Sequence, residues 1–320
     1  MAVDYVTPLY KTCAALYRRV PRPVAEGITE TVYSAVARLS ADRRLLVRRH
    51  LHRALGVELD DAALDPAIRE TFRSYGRYWV ESFRLPKLTS AQLDDGFSFE
   101  GLEHLYRPVL AGRGAIAVLP HVGGWEWGAF WVARILGFPV TVVVESVEPP
   151  ELFEFFTEFR ESLGIHVVPL GPGAGAAVLR ALKRGDVVAL LADRDIEGTG
   201  VDVEFFGERT TLPAGPATLA LRTGAPLLPA AIYFRDGRHH AVVRPPLAVA
   251  REGRRLREDV DRITQDIAHS LEALIAAAPD QWHLQQPNWP SDWDALEAIG
   301  KPHPRPAALT GATPAAAVPG

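Results

Sequence analysis

The sequence reads as an α/β protein: a mixed, largely parallel central sheet of about seven strands with helices on both faces, preceded by an N-terminal helical region. Two observations lead there. From Gly114 onward, short apolar runs alternate with helical stretches of roughly 10 to 15 residues, the rhythm of βαβ units in a sheet buried on both sides. Before that point no convincing strand interrupts the first 90 residues, whose apolar positions recur at helical spacing.

Within the helical region, residues 1–90, Val32, Val36 and Leu39 hold a stripe, while Arg38, Arg43, Arg44, Arg48, Arg49 and Arg53 crowd the same stretch with positive charge. That surface suits anionic lipid headgroups and plain solvation equally well. Ile68, Phe72, Tyr75, Trp79 and Phe83 follow i, i+4, i+7, i+11, i+15, a single apolar face expected to be a core contact. Leu85-Pro86 ends that helix. In the core, residues 91–299, strands are expected at 115–119, 140–144, 166–170, 186–192, 201–206, 226–234 and 240–249. Helices are expected at 125–136, 150–163, 174–184, 214–223 and 256–277. The last two strands, joined through Asp236-Gly237, read as an antiparallel hairpin near the end of the sheet. Residues 300–320 are rich in Pro, Ala and Gly, a composition expected to remain disordered. No internal repeat is visible.

Composition narrows the function. A net charge of -4 argues against a general nucleic-acid binder. Cys13 is the single cysteine, so neither an intrachain disulfide framework nor a multi-cysteine zinc site is expected, and a reducing compartment fits. No apolar run approaches the roughly 20 residues that span a bilayer. Lys11, Arg18 and Arg19 break up the hydrophobic residues near the start, so no signal peptide is expected.

The stretch 115–127 carries the candidate chemistry. The buried run Ala115 to Leu119 ends at Pro120, His121 follows, and Gly123-Gly124 leads into a helix at Trp125. The carboxyl end of a buried strand is where open α/β sheets hold ligands. A neutral imidazole accepts a proton near pH 7, and a carboxylate can fix its useful tautomer. Two acids qualify. Glu126 lies in the first helical turn, where the Gly-Gly break lets it approach; Asp193 ends the strand 186–192 and reaches His121 if the two strands are neighbours. Structural alternatives stand beside these: a dipole-stabilised Glu126 and a salt-bridged Asp193-Arg194-Asp195 loop.

Gly171-Pro-Gly173-Ala-Gly175 offers a rival reading, a nucleotide-dependent α/β enzyme, with Asp193 and Asp195 about 20 residues on. Pro172 stiffens that turn, and no second mononucleotide half is evident. A non-catalytic lipid-binding protein is a further alternative. There is no G-x-S-x-G elbow, no phosphate loop and no H-E-x-x-H helix. His239-His240 makes a poor metal pair, because neighbours on a strand point to opposite faces.

Leu119-Pro-His121-Val-Gly-Gly-Trp-Glu126 resembles the His-x4-Asp/Glu signature of the lipid A late acyltransferase (lauroyl/myristoyl acyltransferase) family. Further blocks are similar in order: Ser74 to Trp79, Phe83 to Pro86, Phe159 to Gly164, Ala192 to Asp195, Gly200 to Glu208, Pro213 to Ala217 and Asp280 to His283. The likeness covers roughly residues 65 to 292 and is nearest to the branch that acts on phosphatidylinositol mannosides. It implies transfer of a fatty acyl group from acyl-CoA to a mannose hydroxyl of that glycolipid, by a peripheral enzyme at the cytoplasmic face of the plasma membrane. It implies no cofactor and no metal, since the thioester is already activated. His121 becomes the base, and Asp193 falls where the closer branch has Glu. Glu126 stands where that branch has Asp, and Glu145 and Arg160 fall on polar positions of the family. On that reading Arg160 or Arg194 binds phosphate, and backbone N–H groups of the turn after His121 receive the oxyanion. An apolar groove lined partly by Trp125, Trp127, Phe130 and Trp131 holds the acyl chain.

Overall fold

The computed structural model describes residues 6–56, 61–253 and 255–306. Nine strands are found among them: β1 (Phe97–Glu100), β2 (Ala115–Leu119), β3 (Val140–Val144), β4 (Ile165–Pro169), β5 (Val187–Leu191), β6 (Val201–Phe205), β7 (Glu208–Leu212), β8 (Leu227–Arg235) and β9 (Arg238–Val243). Seven of them form one sheet in the order β1-β9-β8-β2-β5-β3-β4. Every pairing in that sheet is parallel except the β8–β9 hairpin. Short Val- and Ile-rich runs with both faces covered are what a parallel sheet demands.

Alternation along the strands sorts the two faces. Ile116, Val118, Val188, Leu190, Leu227, Ala231 and Val242 look to one core, beneath helices that follow β4, β7 and β9. Ala115, Ala117, Leu119, Val140, Val142, Val187, Ala230, Ile232 and Ala241 look to the other.

Helices α1 (Val6–Arg19), α2 (Arg22–Leu39), α3 (Ala41–Leu55) and α4 (Asp61–Arg84) build the N-terminal region. They are followed by α5 (Ser90–Asp95), α6 (Glu103–Leu110), α7 (Trp125–Arg134), α8 (Pro150–Glu161), α9 (Ala174–Arg184), α10 (Gly215–Thr223), α11 (Leu256–Ala276) and α12 (Pro290–Ala298). The expected face of α4 divides into two uses. Ile68, Phe72 and Phe83 are buried in the helical cores, whereas Tyr75 and Trp79 stay half-buried and line a cavity against the sheet.

Two expectations about the sheet are corrected. The segment 201–206 is not one of its strands. Gly207 turns the chain back, so β6 pairs antiparallel with β7 in a separate ribbon on α11. The seventh strand is β1, and only the first of its residues is even partly covered, so no apolar run marks it. It is recruited by register, Phe97 beside His239 and Glu100 beside Val242. The hairpin is therefore one strand in from the edge. The neighbouring histidines do separate: His239 is buried against Glu81 (2.9 Å), while His240 meets Ser98 on the other side (2.8 Å).

Of the Pro/Ala-rich end, residues 307–320 lie outside the described residues. Just before them, the Pro304 carbonyl accepts the Trp293 indole N–H at 2.9 Å.

Candidate functional site

Register makes the central pair. In the parallel β2–β5 ladder, Leu119 stands beside Leu191, so two residues further His121 stands beside Asp193. Beyond the last rung the two side chains meet, Nδ1 to Oδ1 at 2.6 Å. The other carboxylate oxygen, Oδ2, accepts the backbone N–H of His121 (3.0 Å) and the indole N–H of Trp282 (2.8 Å). Burial alone would raise the carboxyl of the fully buried Asp193. The charge and hydrogen bonds of His121, joined by Trp282, outweigh it and hold the group below its ordinary value. It is an anion at neutral pH. With Nδ1 donating to Asp193, Nε2 is the nitrogen left to take a proton, and the imidazole keeps 33% of its side-chain surface open.

The main chain around His121 is clamped. Its carbonyl accepts the His283 N–H (2.8 Å), and Val122 forms a β-bridge with Trp282. Gly123 has φ +58°, and a Cβ there would lie 2.1 Å from the Ile232 carbonyl oxygen. At Gly124 a Cβ would strike the His239 ring at 2.4 Å. Both positions therefore require glycine. The same closeness overturns one expectation. Val122 donates to Pro120 (2.7 Å), Gly123 to Gln281 (3.0 Å) and Gly124 to Ile232 (2.9 Å), so none of these amides is left for an oxyanion.

Glu126 does not approach His121. The turn carries α7 away, and the acid is buried with its Oε1 accepting from Arg160 (2.7 Å) and Tyr78 (3.1 Å). Burial alone would lower Arg160; the Glu126 charge overrides it and raises the guanidinium above its usual value. This triple contact ties α7 to α4 and α8. Glu145 and Arg194 face one another more loosely, 3.7 Å apart, with 42% and 25% of their side chains exposed. Asp195 is no partner of Arg194: its carboxylate accepts from Gly198, Gly200 and Thr211 and shapes the following loop. Asp193 and Asp195, the two acids that the rival Gly171 reading would use, are thus both engaged within the protein.

His121 opens on a cavity of about 340 Å³ between the sheet and α7. Its floor is the row Ala117–Ala189–Val142, in register across three strands, where small side chains leave space under the helix. The walls include Trp125, Trp131 and Val132, and the lining reaches inward to Phe97 and Leu105. The expected aromatic groove is thus half right. Trp125 and Trp131 line the space, but Trp127 stacks on His239 (4.1 Å) and Phe130 is packed into the core. The charged and imidazole side chains of the lining are His121, Glu145, Arg160, Arg194 and His283, with Gln286 beside them; His121 and His283 are joined through the main chain (2.8 Å), and Arg194 faces Glu145 (3.7 Å).

His283 is a further residue of the site, one that its sequence neighbours do not single out. Burial first, then electrostatic interaction with His121, push it down to about 3, so it stays neutral, with Nε2 2.8 Å from the Ser74 hydroxyl. Its only sequence signal was the Asp280 to His283 block. Among the described residues, no three His, Cys, Asp or Glu side chains gather as a metal site.

A family model described as bacterial lipid A biosynthesis acyltransferase matches residues 1–291. The chain is similar to a phosphatidylinositol mannoside acyltransferase of Mycolicibacterium smegmatis, 37% identical over 280 residues, 87% of this chain and 89% of that protein. Proteins of the same name from two strains of Mycobacterium tuberculosis are 40% identical over 253 residues, covering 77% of each chain.

Proposed function

Because the chain belongs to the bacterial lipid A biosynthesis acyltransferase family, and is an acyltransferase, we propose that it moves a fatty acyl chain from acyl-CoA to a sugar hydroxyl of a glycolipid, a mannose of a phosphatidylinositol mannoside. The observation that carries this reading is the His121–Asp193 pair at a largely apolar cavity. An alkyl chain fits the apolar part, and the thioester then lies beside the imidazole.

In the reaction, Nε2 of His121 takes the hydroxyl proton as the alcohol oxygen bonds to the thioester carbonyl carbon. Collapse of the tetrahedral intermediate breaks the C–S bond, and the imidazolium returns its proton to the CoA sulfur. Ester and free thiol leave, and His121 is neutral again. Asp193 stabilises the transient imidazolium. With the turn amides spent, the oxyanion's partners are polar side chains of the lining. Arg194, only loosely held, takes a phosphate of CoA or of the inositol lipid, and Glu145 is left for acceptor hydroxyls. Arg160 acts from beneath, as the buried partner of Glu126.

The test offers the purified protein a panel of acyl-CoAs with phosphatidylinositol mannoside and weighs the products by mass spectrometry. An acylated mannoside with release of CoA is expected; no acyl transfer to that lipid would end the proposal. Ala189→Phe sharpens it by filling the cavity floor. Its products should shift toward shorter chains while short acyl-CoAs react as before. An unchanged product distribution would remove the cavity as the chain site.

Membrane contact is the second half of the proposal. No helix of the described residues is long and apolar enough to cross a membrane. Val6, Leu9 and Leu16 on α1, and Val24, Ile28 and Val32 on α2, recur at helical spacing and are 40–60% exposed. Tyr10 of α1 packs against Trp79 and Phe156, both of which line the cavity, so α1 lies directly behind part of its aromatic wall. The arginines of α3 are partly spent: Arg49 and Arg53 hold Asp292, and Arg44 pairs with Asp65. The reading is peripheral insertion of α1 and α2 at the cytoplasmic face of the plasma membrane, where acyl-CoA is supplied. Cosedimentation with anionic vesicles should survive high salt and fail in Ile28→Glu; binding abolished by salt alone would return the contact to the arginines.

A further inference from the structure

We propose that Trp282 is a positioning residue for the His121 base, acting through Asp193; the inference rests on the acyl-transfer reading and names a residue that reading leaves unused. Trp282 does not line the cavity, so it touches neither acyl chain nor acceptor. Its indole N–H is nevertheless 2.8 Å from Oδ2 of a carboxylate with no exposed surface.

The reason such a donor matters lies in the carboxylate's freedom. A carboxylate held by one imidazole can turn about its Cβ–Cγ bond and exchange oxygens. Here Oδ2 is pinned by two N–H groups from different directions, the His121 amide and the indole, and Oδ1 is left facing Nδ1. The indole cannot follow a turning carboxylate. It is 2% exposed and packed among His50 (5.1 Å), Phe206 (5.8 Å), Trp289 (6.2 Å) and Phe205 (6.3 Å). Its backbone meanwhile bridges Val122, the residue after His121. The bonds of that bridge are made by its two chain neighbours, Gly123 donating to the Gln281 carbonyl (3.0 Å) and His283 to the His121 carbonyl (2.8 Å), so the segment that carries the indole also holds the main chain of the base.

The indole also sets how strongly Asp193 acts. A donor on Oδ2 draws negative charge from Oδ1, so the hydrogen bond that Oδ1 accepts from Nδ1 is weaker than it would be with Oδ2 bare. Removing the N–H should have two separable effects. The dyad loses alignment, which lowers kcat, and the imidazolium holds its proton more tightly, which moves the acid limb of the pH profile upward.

The experiment uses the full chain with acyl-CoA and phosphatidylinositol mannoside, His121→Ala alongside. Trp282→Phe keeps an aromatic ring and deletes the donor. Its kcat should fall about ten- to a hundredfold, the usual worth of a hydrogen bond to a charged group. KM for acyl-CoA should not change, and the acid limb of kcat/KM should move to higher pH. Should phenylalanine unfold the protein, benzothienylalanine installed at position 282 by codon suppression keeps the indole's shape with sulfur in place of N–H. An acid limb that stays at the wild-type position overturns the inference at whatever kcat, since lost rate alone would be a packing defect. The two readings separate cleanly. Full turnover by His121→Ala removes the base itself, whereas an inactive His121→Ala beside a wild-type profile at position 282 removes only Trp282.

Discussion

His121→Ala is expected to lower acyl transfer about 10²–10⁴-fold, the range a positioned general base contributes, while the protein stays folded and still binds acyl-CoA. The side chain projects from a strand end into a cavity, so truncating it leaves no buried polar group except the Asp193 oxygen that it served. Asp193→Asn should do comparable damage for a different reason. Two N–H donors converge on Oδ2, so an amide would turn its oxygen toward them and its NH₂ toward Nδ1. Nδ1 would then have to accept, and the ring's proton would sit on Nε2, where the base needs a lone pair. The same swap in a Ser-His-Asp triad costs on the order of 10⁴ in kcat by that tautomer error. Single-turnover kinetics with a radiolabelled acyl-CoA would measure both variants. Wild-type rates in folded His121→Ala would leave the pair without a catalytic role. Glu126→Gln is the contrast. Its acid braces Arg160 and Tyr78 rather than the imidazole, so its loss should fall on stability as well as on rate.

How much of this is legible in the sequence follows from what kind of contact each feature is. The buried strands β2, β3 and β5 announce themselves, because each is a local run of apolar residues between turn signals. Asp193 was within reach only conditionally, since its closeness to His121 depends on two strands 72 residues apart being neighbours in register. Periodicity carries no such information. The same ignorance misassigned β6 and concealed β1: one alternates like a sheet strand but finds its partner next door, and the other is exposed yet recruited by β9. Glu126 was misdirected by proximity in sequence, because a five-residue separation says little once a glycine turn has reoriented the chain. Trp282, 89 residues from the acid it holds, is marked only by the Asp280 to His283 block, which says nothing of its partner.

The second large effect concerns the frame behind the site. Asp292→Ala is expected to cost about 3–5 kcal/mol of stability at neutral pH, the usual consequence of removing one partner from a buried ionic cluster. The carboxylate has no exposed surface and accepts from Arg49 (2.7 Å), Arg53 (2.9 Å) and the backbone N–H groups of Asn288 (3.1 Å) and Trp289 (3.2 Å). His50 approaches its other side at 3.3 Å. Without it, the side chain of Arg53, only 9% exposed, keeps a charge balanced by Glu208 alone, and two helix-capping amides lose their acceptor. Burial by itself would raise this carboxyl, but His50, Arg53 and Arg49 together drive it well below the ordinary carboxylate range. The sign of the pH dependence follows. A depressed folded pKa gives stabilisation that is complete above the unfolded value near 4 and is lost as pH falls through the lower folded value. The gap between wild type and Asp292→Ala should therefore be widest at neutral pH and narrow steadily in acid, as read from urea midpoints across that range. A gap that does not change with pH would mean the ionised cluster is not what the mutation removed. Because Asn288 also donates to the Asp193 carbonyl (3.0 Å), a folded Asp292→Ala should lose some turnover too, the frame loosening where it meets the acid.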